Sequence, residues 1–392
     1  MKIVAIGIGQ CGCNVADDFY AINKYARSFF TRRIEILTDA FAINTAKADL
    51  EGFKYIPKDK RHRILIGEMR TLGHGVGKVN TEAAKIVKDN CSVITDQVLK
   101  SKKFYESDAV VVIASGGGGT GSGMIGWVVK ELKQRMLTKP VYAVIVLPFG
   151  YEEKGEVSFA LVNTAKCLKS VNQYADAVFL LDNERFAQRQ EGLSENMKMI
   201  NRAMVMNFYD LFCAGEEKVR KHIGVKVVDA GDIKQSLEGI TTIGRGEINL
   251  STFYRLHKES FREKTKEGLA IAGALDQAIN NLCLTSDLEQ ARKILCLICA
   301  PRDIITLGAI SEITTLLQER SPLAEIRQGD YPRRSKEISV TLVVSKLTES
   351  ERMESLYDRA EELEKKKEVI DKESEEKIKE MHGHSQRIPD LY

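Results

Sequence analysis

A glycine-rich segment between a buried strand and a helix is the part of this sequence best suited to chemistry. Residues 110–113 form the β-branched apolar run of a strand buried on both faces, and apolar side chains recur at helical spacing over 124–132. The glycines at 116–119 therefore precede a helix, whose backbone N–H groups and dipole can bind an anion. We predict that this loop binds a phosphate chain, with Thr120 and Ser122 as hydroxyl donors.

Two other interpretations of this loop are weaker. A flexible glycine linker would need neither the buried strand before the glycines nor the hydroxyl residues among them. A Walker A loop would place a lysine directly after the glycines, and the sequence has none there. The phosphates are therefore expected to be held mainly by backbone N–H groups and hydroxyls.

A second glycine loop follows the first predicted strand. Residues 7–12 read Gly-Ile-Gly-Gln-Cys-Gly, which has the G-x-G-x-x-G spacing of a dinucleotide-binding loop. One interpretation is a Rossmann oxidoreductase that binds NAD, with Glu35 about where a ribose-binding acid would be sought. That interpretation gives no role to the central glycine loop, whereas two phosphate loops around one nucleotide would use both.

The central loop, residues 117–123, reads Gly-Gly-Gly-Thr-Gly-Ser-Gly and resembles the signature loop of the tubulin/FtsZ superfamily. Residues 9–12 are similar to the first nucleotide loop of tubulin. With residues 44–50 and 73–77, this mixture of tubulin-like and FtsZ-like features most resembles CetZ, an archaeal group of the superfamily tied to cell shape. The resemblance spans roughly residues 1–345. It implies a GTPase that polymerises head-to-tail into protofilaments and hydrolyses GTP at the subunit interface, with Mg²⁺ beside the bound GTP or GDP.

The resemblance also assigns roles to other loops that follow predicted strands. Residues 44–49 resemble the second nucleotide loop, residues 73–77 the loop that senses the γ-phosphate, and residues 148–152 the ribose loop. Asn183 and an asparagine of the central helix, Asn201 or Asn196 about one turn away, would contact guanine. The nucleotide-binding residues implied in this way are Gly9, Gln10, Cys11, Asn14, Thr45, Lys47, Gly75, Val76, Gly77, Gly117, Gly118, Gly119, Thr120, Gly121, Pro148, Glu152, Asn183 and Asn201.

Two positions depart from the FtsZ pattern. FtsZ has Asp where this chain has Ala46, so a carboxylate on the metal side is missing from that position. Lys47 could instead reach a phosphate, or it could be a solvated loop lysine. FtsZ also has Arg where this chain has Glu156, so one cation on the phosphate side is absent.

Asp229 and Asp232 resemble the acidic loop of FtsZ, although Val227 stands in place of its first Asn. The resemblance places this loop on the far side of the subunit, where a head-to-tail filament would bring it to the neighbour's γ-phosphate. The two carboxylates are therefore the predicted catalytic residues, orienting the attacking water. A structural interpretation is also open, in which Asp232 caps a short helix and Asp229 ends a strand. A protein that binds GTP as a scaffold without hydrolysing it is the corresponding alternative function.

Strands and helices alternate over residues 1–190, which indicates a doubly wound parallel sheet with ligand loops at the carboxyl ends of its strands. The predicted fold class is α/β, with a long central helix and a second, smaller α+β domain. The predicted divisions are a GTP-binding domain at 1–194, the central helix at 195–214, an α+β (GTPase-activating) domain at 215–348, and a charged helical C-terminal segment and tail at 349–392. The end of the tail, residues 388–392, faintly resembles the peptide by which FtsZ recruits partners; the alternative is a disordered tail with no role.

Length and composition exclude other classes of protein. The 392 residues are enough for two domains with full cores, and a net charge of +3 gives no case for a nucleic-acid partner. No apolar run reaches the ~20 residues of a membrane helix, so we expect a cytoplasmic protein without a direct membrane anchor. The eight cysteines are expected to be reduced, mostly buried thiols rather than metal ligands.

Overall fold

The structure is a computed structural model that describes residues 1–29, 31–155, 158–187, 192–250, 263–333 and 336–385. Two positions singled out from the sequence, Glu156 and the tail peptide at 388–392, lie outside the described residues.

The described strands form one ten-stranded sheet in the order β3-β2-β1-β4-β5-β6-β7-β10-β8-β9. Their bounds are β1 Ile3–Ile8, β2 Leu37–Asn44, β3 Arg63–Leu65, β4 Ala109–Ser115, β5 Val141–Leu147, β6 Ala177–Asp182, β7 Gly239–Asn249, β8 Lys293–Ala300, β9 Glu325–Pro332 and β10 Glu337–Ser345.

The α-helices in the described ranges cover both faces of this sheet. Their bounds are α1 Gly9–Arg27, α2 Lys47–Glu51, α3 Glu68–Thr71, α4 Asn80–Leu99, α5 Thr120–Arg135, α6 Phe159–Val171, α7 Leu193–Ala214, α8 Ala230–Ser236, α9 Glu263–Asn280, α10 Leu307–Arg320 and α11 Glu351–Ser385. None of these helices is long and apolar enough to cross a membrane.

Strands β1 to β6 are parallel, which confirms the predicted doubly wound fold. The chain builds outward from β1 to β2 and β3 on one side and from β4 to β6 on the other, so β1 and β4 form the topological switch point. The pairing of Ile8 with Ala114 places the carboxyl ends of these two strands side by side. Strand β7 then pairs parallel with β6 and antiparallel with β10, which joins the second domain's strands to the same sheet.

Two apolar cores explain why the central strands are hydrophobic along their whole length. Along β4, Val110 and Val112 enter one core, whereas Val111 and Ile113 enter the other. Successive side chains of a strand point to opposite faces, so both faces of β4 are buried. The predicted long central helix is α7, which packs on α1 with the rings of Phe19 and Phe208 centred 5.6 Å apart.

Some local features differ from what the sequence pattern suggests. Strand β9 was not predicted, because its sequence Glu-Ile-Arg-Gln-Gly-Asp-Tyr-Pro lacks a run of apolar residues. Cys296 and Cys299 have a C-x-x-C spacing that can indicate a metal site. They lie on a strand, however, so the two thiols enter different cores.

Candidate functional site

A cavity of about 400 Å³ opens between the carboxyl ends of β1 and β4. This is the switch point, where parallel sheets of this kind bind their ligands. Five loops contribute to it, each following a strand of the parallel sheet. The lining residues are Ile8, Gly9, Gln10, Cys11, Asn44, Ala46, Asp49, His74, Gly75, Lys78, Ser115, Gly117, Gly118, Gly119, Thr120, Gly121 and Glu152.

Two helix N-termini open onto this cavity. Helix α1 begins at Gly9, directly after β1, and α5 begins at Thr120, directly after the central glycines. Within the described structure, neither N-terminus has a side-chain cap or an acidic residue in its first turn. Both ends therefore present unsatisfied N–H groups and the positive end of a helix dipole, which suits a ligand with several negative charges.

Glycines allow the start of α1 to pack directly on the central glycine loop and on the end of β4. Gly9 has φ +72°, in the left-handed region, and a Cβ added there would lie 3.0 Å from the backbone nitrogen of Gly121. A Cβ at Gly12 would lie 2.2 Å from the carbonyl oxygen of Ile113. Side chains at these two positions would separate the loops and so disrupt the cavity.

Gly118 differs from its neighbours in the central loop. A Cβ added at Gly118 would meet no atom of the described structure within 4 Å, whereas one at Gly119 would lie 2.8 Å from the Cα of Lys78. Because Gly118 also lines the cavity, a side chain at this position would enter open space rather than the protein. The absence of a side chain there leaves room for a ligand to approach the backbone.

The loop after β2 is tied to the central loop. The hydroxyls of Thr45 and Thr120 are 2.8 Å apart, and Asn44 Oδ1 accepts from the backbone N–H of Thr45 at 2.8 Å. Asn44 Nδ2 also donates to Asp49 Oδ2 at 3.0 Å, which holds that carboxylate at the cavity wall. Asp49 is thus a cavity carboxylate three residues beyond Ala46, with no role predicted for it from the sequence. Lys47, which was predicted to bind nucleotide, is exposed at the start of α2 and is not among the lining residues.

The predicted γ-phosphate loop lies beside this second loop. An isolated β-bridge pairs Ala46 with His74, and Gly73, Gly75 and Gly77 all have positive φ, so residues 73–77 follow a backbone path that favours glycine. Of the three residues predicted to bind here, Gly75 lines the cavity and Val76 and Gly77 do not.

Lys78 and Asn163 belong to the site, although the sequence pattern does not reveal them. Lys78 has φ +65° and is among the residues that line the cavity, where its backbone lies next to the central glycine loop. Asn163, on α6, donates its amide N–H to the carbonyl oxygens of Lys78 at 2.9 Å and Gly118 at 3.2 Å. This amide therefore fixes the two loops relative to each other. No local motif marks Asn163, because its partners are 45 and 85 residues away in the chain.

Glu152 and Cys11 lie at another part of the wall. Glu152 Oε2 accepts from the backbone N–H of Phe149 at 3.1 Å, which orders the predicted ribose loop. Burial raises the pKa of the Cys11 thiol to about 12, and the nearby negative charge of Glu152 acts in the same direction. Cys11 is therefore a neutral thiol at the cavity rather than a nucleophile.

The two asparagines predicted to contact a base carry unsatisfied polar atoms. Asn183 and Asn201 are each 5% exposed, and the Oδ1 atom of each has no hydrogen-bond partner within the described residues. A buried acceptor without a partner is costly, so these oxygens suit a ligand that donates hydrogen bonds. Guanine offers such donors at N1 and N2. Asn14, Asn183, Asn201 and Pro148 are not among the cavity-lining residues, and their assignment to the nucleotide stays a prediction.

Asp229 and Asp232 form a capping box at the start of α8. Asp229 Oδ1 accepts from the N–H of Asp232 at 2.9 Å, and Asp232 Oδ2 accepts from the N–H of Asp229 at 3.2 Å. The structural interpretation of the sequence was therefore wrong in detail: Asp229, not Asp232, is the N-cap, and the described residues 215–229 contain no strand that Asp229 could end. Asp232 Oδ1 also accepts from Arg327 at 3.1 Å.

This acidic loop lies at the edge of the sheet opposite the cavity. Lys234, on α8, pairs at 3.6 Å with Asp108, which directly precedes β4. The cavity is at the other end of β4, beyond Ser115. Asp229 and Asp232 are therefore separated from their own subunit's glycine loops by the length of a strand.

The structure weakens the NAD-binding interpretation. Glu35 precedes β2, so it lies at the amino end of that strand, and it pairs with Lys103 at 2.7 Å and Arg27 at 3.5 Å. A ribose-binding acid in a dinucleotide fold must lie at the carboxyl end of the second strand, beside the ligand. Within the described residues, no group of three or more His, Cys, Asp or Glu side chains forms a metal site.

Taken together, fold and site define an α/β protein with a cavity suited to a phosphate-rich ligand at its switch point. Residues 2–190 match the family described as Tubulin/FtsZ family, GTPase domain, and residues 190–362 match Tubulin-like CetZ, C-terminal domain. Tubulin-like protein CetZ1 of Haloferax volcanii is 31% identical over 347 residues, covering 85% of this chain and 84% of its own length.

Two solved structures from the same organism are also similar. The GDP-bound monomer of CetZ1 has a TM-score of 0.78 and 28% identity, covering 93% of this chain and 100% of that chain. The GTPγS-bound protofilament of CetZ2 has a TM-score of 0.79 and 28% identity, covering 94% of this chain and 100% of that chain. The chain belongs to the tubulin/FtsZ family of GTPases and carries the C-terminal domain of CetZ.

Proposed function

We propose that this chain binds GTP in the cavity between β1 and β4, polymerises head-to-tail into protofilaments, and hydrolyses GTP where two subunits meet. The observation that carries the proposal is the pair of uncapped helix N-termini that open onto this one cavity. The GDP and GTPγS bound by the two CetZ relatives support the choice of nucleotide. The CetZ2 protofilament supports self-association.

Each part of the nucleotide has chemically suitable residues in this arrangement. The backbone of residues 117–119 and the N-termini of α1 and α5 bind the phosphates, with Lys78 as the adjacent cation. Glu152 accepts from the ribose hydroxyls. The unpartnered Oδ1 atoms of Asn183 and Asn201 accept from guanine N1–H and N2–H.

Magnesium fits this site through Asp49. Mg²⁺ prefers oxygen ligands and commonly binds one or two carboxylates together with nucleotide phosphates. Asp49 supplies a carboxylate in the cavity, held in place by Asn44. The ion would neutralise charge on the phosphate oxygens.

Hydrolysis requires a group that orients the attacking water, and the two carboxylates of the described cavity already accept hydrogen bonds. Glu152 and Asp49 are engaged with Phe149 and Asn44, whereas Asp229 and Asp232 lie at the opposite edge of the sheet. A head-to-tail contact that does not close on itself generates a filament. It brings the sheet edge that carries the acidic loop of one subunit to the cavity of the next subunit. Asp229 and Asp232 then orient the water that attacks the neighbour's γ-phosphate.

A second candidate is a GTP-binding scaffold that does not hydrolyse its nucleotide. The capping box favours it, because helix capping alone accounts for both acidic residues. The two candidates differ in one measurement: phosphate release by assembled protein occurs only if the chain hydrolyses GTP.

The wider proposal follows the family resemblance. The functional divisions are a GTP-binding domain at 1–194, the central helix at 195–214, an α+β domain at 215–348 and a C-terminal segment at 349–392. Within this proposal the protein acts in the cytoplasm in cell-shape control, and its tail offers a site for a protein partner.

Electron microscopy of the purified protein with GTP, GDP or no nucleotide tests the proposal, together with titration calorimetry of both nucleotides. We expect nucleotide binding, and filaments that are most abundant with GTP. A protein that binds neither nucleotide would refute the proposed function, whereas a protein that binds GTP but never forms filaments would refute only the assembly step.

A further inference from the structure

The first turns of the C-terminal helix α11 contact two loops of the GTP-binding half. Arg352 Nη1 donates to Glu153 Oε2 at 3.0 Å, Nη2 donates to Glu153 Oε1, and Nε donates to Asp182 Oδ2 at 3.1 Å. Its Nη2 also lies 3.4 Å from the carbonyl oxygen of Pro148. One guanidinium therefore joins the loop after β5 to the end of β6.

Arg359 strengthens the same contact. It lies two helical turns after Arg352, hence on the same face of α11, and donates to Glu153 Oε2 at 2.8 Å and to the Glu153 carbonyl oxygen at 3.0 Å. Leu356, between the two arginines, and Ala360, directly after Arg359, are buried. Helix α11 is therefore held on the domain by packing as well as by charge.

The two carboxylates in this cluster depend on their cationic partners. The side chain of Glu153 is 2% exposed and that of Asp182 is 9% exposed. Burial raises the pKa of Asp182, and the charge of Arg352 opposes that change. Without Arg352, Asp182 would be a buried carboxylate without its cation, close to the carboxylate of Glu153, and the two would repel each other.

These carboxylates are the direct chain neighbours of two proposed nucleotide contacts. Glu153 follows Glu152, the proposed ribose contact, and Asp182 precedes Asn183, the proposed guanine contact. Asp182 also orders the turn of Asn183 by accepting from the N–H of Glu184 at 3.1 Å. The N–H of Gly150 donates to Glu184 Oε2 at 3.1 Å, so the two loops already touch.

We propose that Arg352, assisted by Arg359, is a positioning residue for the nucleotide, which links docking of the C-terminal helix to nucleotide affinity. This inference rests on the proposed GTP site. Arg352 fixes the loop after β5 and the end of β6, next to Glu152 and Asn183. It therefore holds these two side chains in place to bind the ribose and the base. Linkage is reciprocal, so bound nucleotide must stabilise the docked helix by the same factor.

The test compares GDP and GTP affinities of the full chain with those of Arg352→Gln, Arg352→Lys and Arg359→Gln. We expect Arg352→Gln to weaken GDP binding by a factor within the roughly 5- to 150-fold range of coupled sites. Arg352→Lys should restore part of that loss, because it keeps the charge but cannot bridge two carboxylates. The preference for GTP over ATP should also fall, since base and ribose contacts are loosened while the phosphate loops are untouched.

Glu364→Gln is the matched control. It removes an ion pair of 2.7 Å between α11 and Lys166 on α6 without touching the loops at Glu153 or Asp182. Its GDP affinity should equal that of the wild type. Equal losses of GDP affinity in Glu364→Gln and Arg352→Gln would mean that any weakening of the docking of α11 lowers nucleotide affinity. That result would overturn the role given to Arg352.

Hydrogen exchange on the wild-type protein supplies a test that needs no variant to fold. Saturating GDP should slow amide exchange over residues 351–364 of α11 more than over α10, in the second domain. Equal protection of the two helices, or a wild-type affinity in Arg352→Gln, would overturn the inference while leaving the GTP site standing. Failure of the wild type to bind GDP or GTP would overturn both.

Discussion

The substitution Gly118→Val tests whether the central loop is the phosphate cradle. A Cβ at this position meets no atom of the described structure within 4 Å, and Gly118 does not have positive φ. The Cβ of a valine therefore adds neither a clash nor backbone strain. Its side chain instead occupies space at the cavity wall where the phosphates must approach the backbone.

The size of the effect follows from the contacts that valine would prevent. A hydrogen bond to a charged group contributes about 1.5–3 kcal/mol, so losing two N–H contacts to phosphate oxygens costs about 3–6 kcal/mol. That corresponds to a dissociation constant for GTP that is roughly 10²- to 10⁴-fold larger. The free energy of unfolding without nucleotide should change by no more than about 0.5 kcal/mol, as for a typical surface substitution.

Titration calorimetry with GTP and urea unfolding of the nucleotide-free protein measure the two quantities, and sedimentation reports filaments. Gly308→Val, in the exposed first turn of α10, is the control for adding a valine away from the cavity. We expect Gly118→Val to lose GTP binding and filaments while the control keeps both. GTP-dependent sedimentation of Gly118→Val at the wild-type level would refute the assignment of the phosphate site.

Three further predictions concern the base, the acidic loop and the buried ion pairs. Wild-type protein should prefer GTP to ATP on the order of 10³-fold or more, and Asn183→Ala should lose most of that preference. Equal calorimetric affinities of the wild type for the two nucleotides would refute the proposed guanine contacts. Asp229→Asn keeps an N-cap residue but removes the carboxylate, so this variant should bind GTP and form long-lived filaments with little phosphate release. Phosphate release at the wild-type rate would exclude a catalytic role for Asp229. Asp210 is buried and its pKa lies well below the ordinary 3.8, because Arg32 and Arg245 outweigh the effect of burial. Its stabilisation is therefore present above pH 3.8 and is lost as pH falls, and Asp210→Asn should cost about 3–5 kcal/mol at pH 7 in urea unfolding, with a weaker acid dependence than wild type.

The fold and the cavity could be predicted from the sequence where residues close together in the chain determine both the secondary structure and the ligand contacts. The apolar run of β4 and the glycines that follow it form a strand, loop and helix N-terminus because those properties depend on neighbouring residues only. The same holds for Gly9 at the start of α1. Loops at the carboxyl ends of parallel strands must then meet, whatever the details of packing.

Contacts between distant segments could not be predicted in the same way. Lys78 lines the cavity, its backbone has positive φ, and its carbonyl oxygen accepts from Asn163; the residues around Lys78 encode none of these facts. Arg352 is one charged residue in a helix rich in charges, and its partners are 170 and 199 residues away. The cap of α8 was predicted three residues too late, because Asp229 and Asp232 are both good capping residues and local sequence does not choose between them.

The separation of the acidic loop from the cavity decides how it could act in hydrolysis. Strand β4 has seven residues, which at about 3.3 Å each spans roughly 20 Å between the edge near Asp108 and the glycine loop. A general base must come within about 3 Å of the water it orients, so Asp229 cannot serve the nucleotide of its own subunit. It either has no part in hydrolysis or acts on the nucleotide of a neighbouring molecule. In the second case phosphate release per subunit must rise with protein concentration through the assembly threshold. A constant rate per subunit in dilute, filament-free protein would leave Asp229 with its capping role alone.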